Sequence, residues 1–151
     1  MAITQAMATS FKDQILEGIH NFGTGVVRAS TAADTFKIAL YTSAADLGAA
    51  TTAYTTSGEV SSSGTNYTTG GNTLVISQAP TTSGTTAFLS FSNASWTSAT
   101  ITAAGAMIYN ATQSNACVAV LSFGGDKTST NGTFTIVFPT ADASNAILRI
   151  A

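Results

Sequence analysis

Three titratable side chains, Asp13, Glu17 and His20, lie closer together in the sequence than any others that could do acid–base or metal chemistry. Intervals of four and three positions place them on one face of a helix. Carboxylate and imidazole groups can bind a divalent metal or exchange protons with a substrate. A metal site needs a further ligand and burial, and the neighbouring sequence offers neither. We therefore interpret the group as a polar stripe, and expect no catalytic residue, metal or cofactor and no enzymatic activity.

The single cysteine and the two glycine pairs do not indicate a catalytic or ligand-binding site either. Cys117 is the only cysteine, which excludes an intrachain disulfide and a thiolate zinc site. It lies in the alternating run CVAVLSF, typical of a buried strand. The glycine pairs in YTTGGNT and SFGGDKT lack the strand, lysine and helix spacing of a phosphate-binding loop. We expect both to be turns, with Gly124–Gly125 leading into a hairpin that spans GGDKTSTN.

Trp96 is the candidate surface-binding residue, since a tryptophan ring can stack on a sugar. A partly buried core position is the more common place for a tryptophan, and we favour it here. Three Thr-x-Thr pairs resemble those of ice-binding surfaces, but such surfaces need a repeated flat array and these pairs have no common period, so we interpret them as ordinary exposed strand faces. They are Thr100/Thr102, Thr128/Thr130 and Thr133/Thr135.

The charge content excludes several classes of protein. The 151 residues include only 5 Lys and Arg and 7 Asp and Glu, a charged fraction of 8% against the ~25% of ordinary soluble domains. So few cations cannot neutralise a nucleic-acid backbone. No run of ~18 apolar residues is present, so we expect no membrane span. No charge occurs between Glu59 and Asp126, which indicates a folded Ser/Thr-coated surface covered by other subunits.

The sequence predicts an arm over residues 1–9, followed by a helix over residues 11–22. The helix has an apolar stripe that must pack either on its own domain or on a neighbour. We take this stripe as the candidate partner-docking surface: Phe11, Ile15, Leu16, Ile19 and Phe22.

After Gly23 the apolar period changes to two. DTFKIALYTS alternates, with Phe36, Ile38 and Leu40 on one face, and predicts a half-buried strand. Residues 43–71 are too long for a passive loop and should be functional or contain short edge strands. Further strands follow at short intervals. The sequence thus predicts one all-β domain over residues 10–151, an antiparallel sandwich, jelly-roll-like or immunoglobulin-like, with the N-terminal helix.

Four segments together resemble a group of small virion proteins of tailed bacteriophages, cyanophages among them. The resemblance covers nearly the whole chain after the arm and includes no catalytic motif. The segments are FKDQILEGIHNF, DTFKIALYTSAADLGAATTAYTTSGEV, GAMIYNATQSNACVAVLSFGGDKT and GTFTIVFPTADASNAILRIA.

This resemblance implies a structural part of the virion, made in the host cytoplasm. We expect a capsid decoration (cement) protein that forms a homo-oligomer, with a trimer favoured, on the major capsid protein. A neck or tail-fibre-attachment protein, bound to portal or tail proteins, is the alternative. A carbohydrate-binding surface module using Trp96 is the alternative of another class. Neither nucleic acid nor membrane is expected as a partner.

Overall fold

A computed structural model of the chain describes residues 3–8, 11, 15, 19–24, 33–84 and 86–150. These residues form antiparallel strands joined by turns and by one long irregular segment. The strands are β1 (Ala6–Met7), β2 (Phe36–Tyr41), β3 (Asn72–Thr73), β4 (Ile76–Ser83), β5 (Thr86–Phe91), β6 (Ala94–Asn110), β7 (Ala116–Ile136) and β8 (Leu148–Ile150).

The described strands make two sheets in a sandwich-like arrangement. One sheet has the order β1-β7-β6-β2-β3 and the other has the order β4-β5-β8. Phe36 of the first sheet and Phe91 of the second lie 6.0 Å apart between ring centroids. The predicted all-β, antiparallel class is therefore confirmed. Among the described residues no helix has both the length and the hydropathy that a membrane crossing requires.

Strand β2 is buried on both faces, so the prediction of a half-buried strand is wrong. Ala39 and Tyr41 are as inaccessible as Ile38 and Leu40. The reason is that residues 43–71 fold back against β2: Val60 N donates to Leu40 O. This segment contains no strand of its own, only single bridges to β2, β7 and the N-terminal residues.

Strands β6 and β7 form one long hairpin, which differs from the prediction. The runs SATITA and AMIYN belong to the same strand, and the turn lies at residues 111–115. Ser114 and Asn115 there have φ of 51° and 57°. The expected hairpin over GGDKTSTN is absent because the glycines form a bulge, after which β7 continues along β6.

Most of the helix predicted over residues 11–22 lies outside the described residues. Phe11 and Ile15 have helical geometry, whereas residues 19–22 do not, so a helix cannot reach Phe22. The ring of Phe22 instead stacks on Phe36 at 4.2 Å. This contact of the Phe22 ring with the sheet takes the place of a further helical turn. Most of the arm predicted over residues 1–9 is described, and it includes β1, which pairs with β7.

Candidate functional site

The β6–β7 hairpin is sharply bent near its middle. Residues 123–126 of β7 bulge out opposite a single residue of β6, between the pairs Gly105↔Ser122 and Ala103↔Lys127. Gly124 and Gly125 have φ of 71° and 141°, values that only glycine adopts readily. Beyond the bulge the ring of Phe134 lies 6.3 Å from that of Phe123, whereas a straight strand would place the two residues ~36 Å apart. The bulge, together with the further register shifts between Ser129 and Phe134, therefore brings the outer half of the hairpin back towards the inner half.

The bend forms an apolar groove along the outer edge of β7. Its volume is about 610 Å³, and its lining includes Phe123, Phe134, Ile136 and Phe138. Val137 also lines the groove and is 71% exposed, the highest fraction among the exposed large hydrophobic residues described. β1 pairs with β7 only at Val120 and Ala119. No other described strand pairs with this edge, so the backbone groups of β7 after Leu121 are open to a partner.

The outer face of the same hairpin is covered with hydroxyl groups. Cross-strand contacts hold some of them in place: Ser95 Oγ and Thr135 Oγ1 are 3.0 Å apart, and Thr102 Oγ1 and Thr128 Oγ1 are 3.2 Å apart. All three Thr-x-Thr pairs lie here and are exposed, as the interpretation of exposed strand faces requires. We call this surface the hydroxyl face: Ser95, Thr97, Thr100, Thr102, Thr128, Thr130, Thr133 and Thr135.

A second polar group, inside the fold, surrounds Glu59. The hydroxyl of Tyr67 donates to Glu59 Oε1 at 2.6 Å, and the hydroxyl of Tyr54 donates to Oε2 at 2.7 Å. The amide of Gly70 also donates to Oε1, at 2.7 Å. The ring of Tyr54 stacks on Tyr109 with 4.8 Å between centroids. A carboxylate that accepts this many hydrogen bonds is satisfied without a cation, and Glu59 has no described salt bridge.

The tyrosines around Glu59 resist ionisation. Burial, followed by the charge of Glu59, raises the pKa of Tyr109 to about 12. Burial and the hydrogen bond to Glu59 raise the pKa values of Tyr54 and Tyr67 far above 10. Burial and the Glu59 charge do the same to Tyr41. These hydroxyls therefore remain neutral donors at any physiological pH, which suits a structural role.

This cluster holds the long segment 43–71 against the sheet. The hydroxyl of Tyr109 donates to Gly70 O at 2.7 Å, and that of Tyr41 donates to Thr55 O at 2.6 Å. At Gly71 the backbone approaches β2 so closely that a Cβ would overlap the carbonyl group of Ile38. The segment is thus fixed at several points and does not hang free from the domain.

His20 lies in a different setting from the one predicted. Its Nδ1 is 3.0 Å from the side-chain amide of Asn110, which is completely buried. The same amide donates to Asp34 Oδ2 at 2.8 Å. Asp13 and Glu17 lie outside the described residues. The arrangement ties the N-terminal region to the end of β6 through buried hydrogen bonds.

The candidate docking stripe packs on its own domain at three of its four described residues. Phe11 is 2% exposed and belongs to the core, and Ile15 and Phe22 pack against that core. Ile19 is half-buried, and Leu16 lies outside the described residues. Of the alternatives that the sequence left open, packing on the chain's own domain holds for Phe11, Ile15 and Phe22.

Trp96 is a core residue, which argues against its role as a surface-binding ring. It is 4% exposed and lies between Tyr67 and Phe134, with ring centroids 6.0 and 6.2 Å away. Its position follows from strand alternation, because Trp96 points inward where Ser95 points outward. Cys117 is completely buried, and burial raises the pKa of its thiol to about 12.

Within the described ranges, no three His, Cys, Asp or Glu side chains come close enough to hold a metal ion. What the described surface offers is hydrogen bonding by neutral hydroxyls on one face and apolar contact in the adjoining groove. Comparison of the chain with protein-family models, curated proteins and solved structures finds no significant match.

Neither the cluster around Glu59 nor the one around Asn110 was expected from the sequence. A signal for the first was available: Glu59 is the only charge between Asp46 and Asp126, and tyrosines lie five residues before it and eight after it. A lone carboxylate among tyrosines in a charge-free stretch indicates a buried acceptor. For the pairing of Asn110 with Asp34 and His20 the sequence carries no local signal, because the contacts span up to 90 positions.

Proposed function

We propose that the chain is a non-enzymatic structural component of a tailed-phage virion, most simply a capsid decoration protein. The observation that carries the proposal is the hydroxyl face, a broad strand surface without a charged side chain among its members. Covering such a face costs little desolvation free energy, because no charged group is buried. Its cross-strand hydroxyl contacts also fix its shape before it meets a partner.

The resemblance to phage virion proteins supplies the setting, and the major capsid protein is the partner that fits it best. Repetition over many equivalent sites makes a weak contact effective, so the chain needs no strongly attractive charges. A homo-oligomer, with a trimer favoured, is part of this proposal. Attachment at the neck or tail is the alternative, and it predicts far fewer copies in each particle.

The structure changes the docking surface that we propose. The aromatic stripe of the N-terminal region is used inside the domain, so the hydroxyl face and the apolar groove take its place. Segment 43–71 is held firmly to the sheet, which makes it a rigid flank of the domain.

The test is rebinding of the purified chain to particles that lack it. The variant Thr97→Lys/Thr133→Lys adds two charges to the hydroxyl face at hydroxyls that make no described hydrogen bond, so the fold should survive. The control Thr81→Lys/Ser83→Lys adds the same charges to exposed positions of β4. We expect the first variant to lose binding and the control to bind like the original chain. Equal binding by both variants would exclude the hydroxyl face as the docking surface.

A further inference from the structure

The outer edge of β7 after the glycine bulge is long and unprotected. From Thr128 to Ile136 it has no charge and no proline, the two devices that commonly block pairing of sheet edges. Among the strands that the structure describes, none pairs with this stretch of the edge, because β1 pairs only with Val120 and Ala119. The open part is limited to the second half of the strand. It is preceded by the bulge at Gly124–Gly125 and by the charges of Asp126 and Lys127.

The pattern of this edge is symmetric. In TSTNGTFT the threonines at 128, 130, 133 and 135 are mirrored about the bond between Asn131 and Gly132. An antiparallel pair of identical strands about a two-fold axis joins residues whose numbers have a constant sum. With the axis at that bond, Thr128 faces Thr135 of the second copy and Thr130 faces Thr133.

We infer that this edge pairs with the same edge of a second copy of the chain, in that register. The inference concerns self-association and does not depend on which virion protein the chain contacts.

The side chains on both faces of the sheet are compatible with this pairing register. Thr128, Thr130, Thr133 and Thr135 are all exposed on the hydroxyl face, so each faces a partner on the same side. Opposed threonines are a favourable cross-strand pair. On the groove side, Lys127 lies opposite Ile136 of the second copy, and its aliphatic stem can cover that residue. No like charges meet across the pair, because Lys127 faces an apolar residue and Asp126 lies beyond the end of β7 in the second copy.

A second bulge, at Asn131, lies in the middle of this edge and limits the strength of the contact. Asn131 has φ of 49°, and β7 shifts register against β6 here. The ladder is therefore divided into two short halves, Thr128–Thr130 against Thr133–Thr135. Eight residues span roughly 25 Å, and a sheet edge ~10 Å thick gives an area of ~250 Å² per copy. A stable interface needs ~800 Å² per partner, so we expect weak pairing in solution that a lattice could reinforce.

The test is sedimentation equilibrium of the full chain up to about millimolar concentration, with two matched variants. Thr130→Lys/Thr133→Lys places like charges opposite each other at two symmetric points, and Thr130→Lys/Thr133→Glu places opposite charges there. Relative to the original chain, we expect the first variant to raise the dimer dissociation constant about tenfold and the second to lower it about three- to tenfold.

The effect of the second variant should weaken with added salt, because exposed charges are screened. Circular dichroism checks that both variants fold. A chain that stays monomeric throughout would overturn the inference. So would a dimer whose dissociation constant is the same in both variants, since that dimer uses another surface.

Discussion

The hydroxyl of Tyr67 donates to Glu59 Oε1 at 2.6 Å and accepts a hydrogen bond from the amide of Leu40 at 3.0 Å. One side chain thus links the long segment 43–71 to strand β2. The hydroxyl can do this because it is both donor and acceptor. This contact is one of several that hold the segment against β2, together with the hydrogen bond from Val60 N to Leu40 O.

Replacing Glu59 should therefore destabilise the fold. Glu59→Gln keeps the shape of the side chain but replaces one acceptor oxygen by an amide group that donates. Depending on its orientation, this amide faces either the hydroxyl of Tyr54 or the donors of Tyr67 and Gly70. Loss of partners for such groups costs about 1–3 kcal/mol in the free energy of unfolding. The control is Asp126→Asn, at an exposed carboxylate, which should change it by less than ~0.5 kcal/mol. Urea denaturation measures both, and equal effects would contradict the central role of Glu59.

Alkaline pH should unfold the protein steeply. Burial and the charge of Glu59 raise the pKa of Tyr109 to about 12 in the folded chain, whereas the pKa of an unfolded tyrosine is near 10. Between these values the unfolded state binds fewer protons, so the free energy of unfolding falls as pH rises. Tyr41, Tyr54 and Tyr67 act in the same direction. Tyrosinate absorbance should stay low above pH 10 and rise together with loss of the circular dichroism signal. A gradual rise near pH 10 in folded protein would contradict the buried cluster.

Gly71 should tolerate no side chain. Gly71→Ala drives a methyl group into the carbonyl group of Ile38 on the central sheet and should prevent normal folding. Gly64 is the matched control because its φ of 71° is equally positive, but no atom lies within 4 Å of its Cβ position. Gly64→Ala should cost only about 1 kcal/mol of backbone strain. Thermal melts of the two variants separate the steric effect from the conformational one.

The aromatic residues of the N-terminal region should support stability rather than docking. Phe11 is buried in the core of its own domain, so Phe11→Ala should lower the free energy of unfolding by about 3–5 kcal/mol. For the same reason, we expect deletion of residues 1–22 to damage the fold. If Phe11→Ala melts like the original chain yet fails to join particles, the docking interpretation of the stripe would be right after all.

Strand periodicity explains what could be predicted. GTFTIVF has the period of two that a strand requires: Phe134, Ile136 and Phe138 are buried, and Thr133, Thr135 and Val137 are exposed. The all-β class followed from several such runs. Burial of Cys117 followed from the same kind of pattern.

The errors arose where distant contacts decide the structure. Gly124–Gly125 can form a turn or a bulge, and only continued pairing of Lys127 with Ala103 selects the bulge. Ala39 and Tyr41 appeared to lie on an open face because nothing local indicates that segment 43–71 returns to cover them. Trp96 was correctly favoured as a core residue, but its neighbours Tyr67 and Phe134 could not be named from spacing alone.

The most direct test of the proposed virion role is quantitative mass spectrometry of density-banded particles of the virus that we propose encodes this chain. If the chain is a decoration protein, it is present at near parity with the major capsid protein, and it remains bound when the particles are banded again. A copy number of about a dozen per particle would instead indicate a position at the neck or tail. Its absence from banded particles would contradict a structural role in the virion.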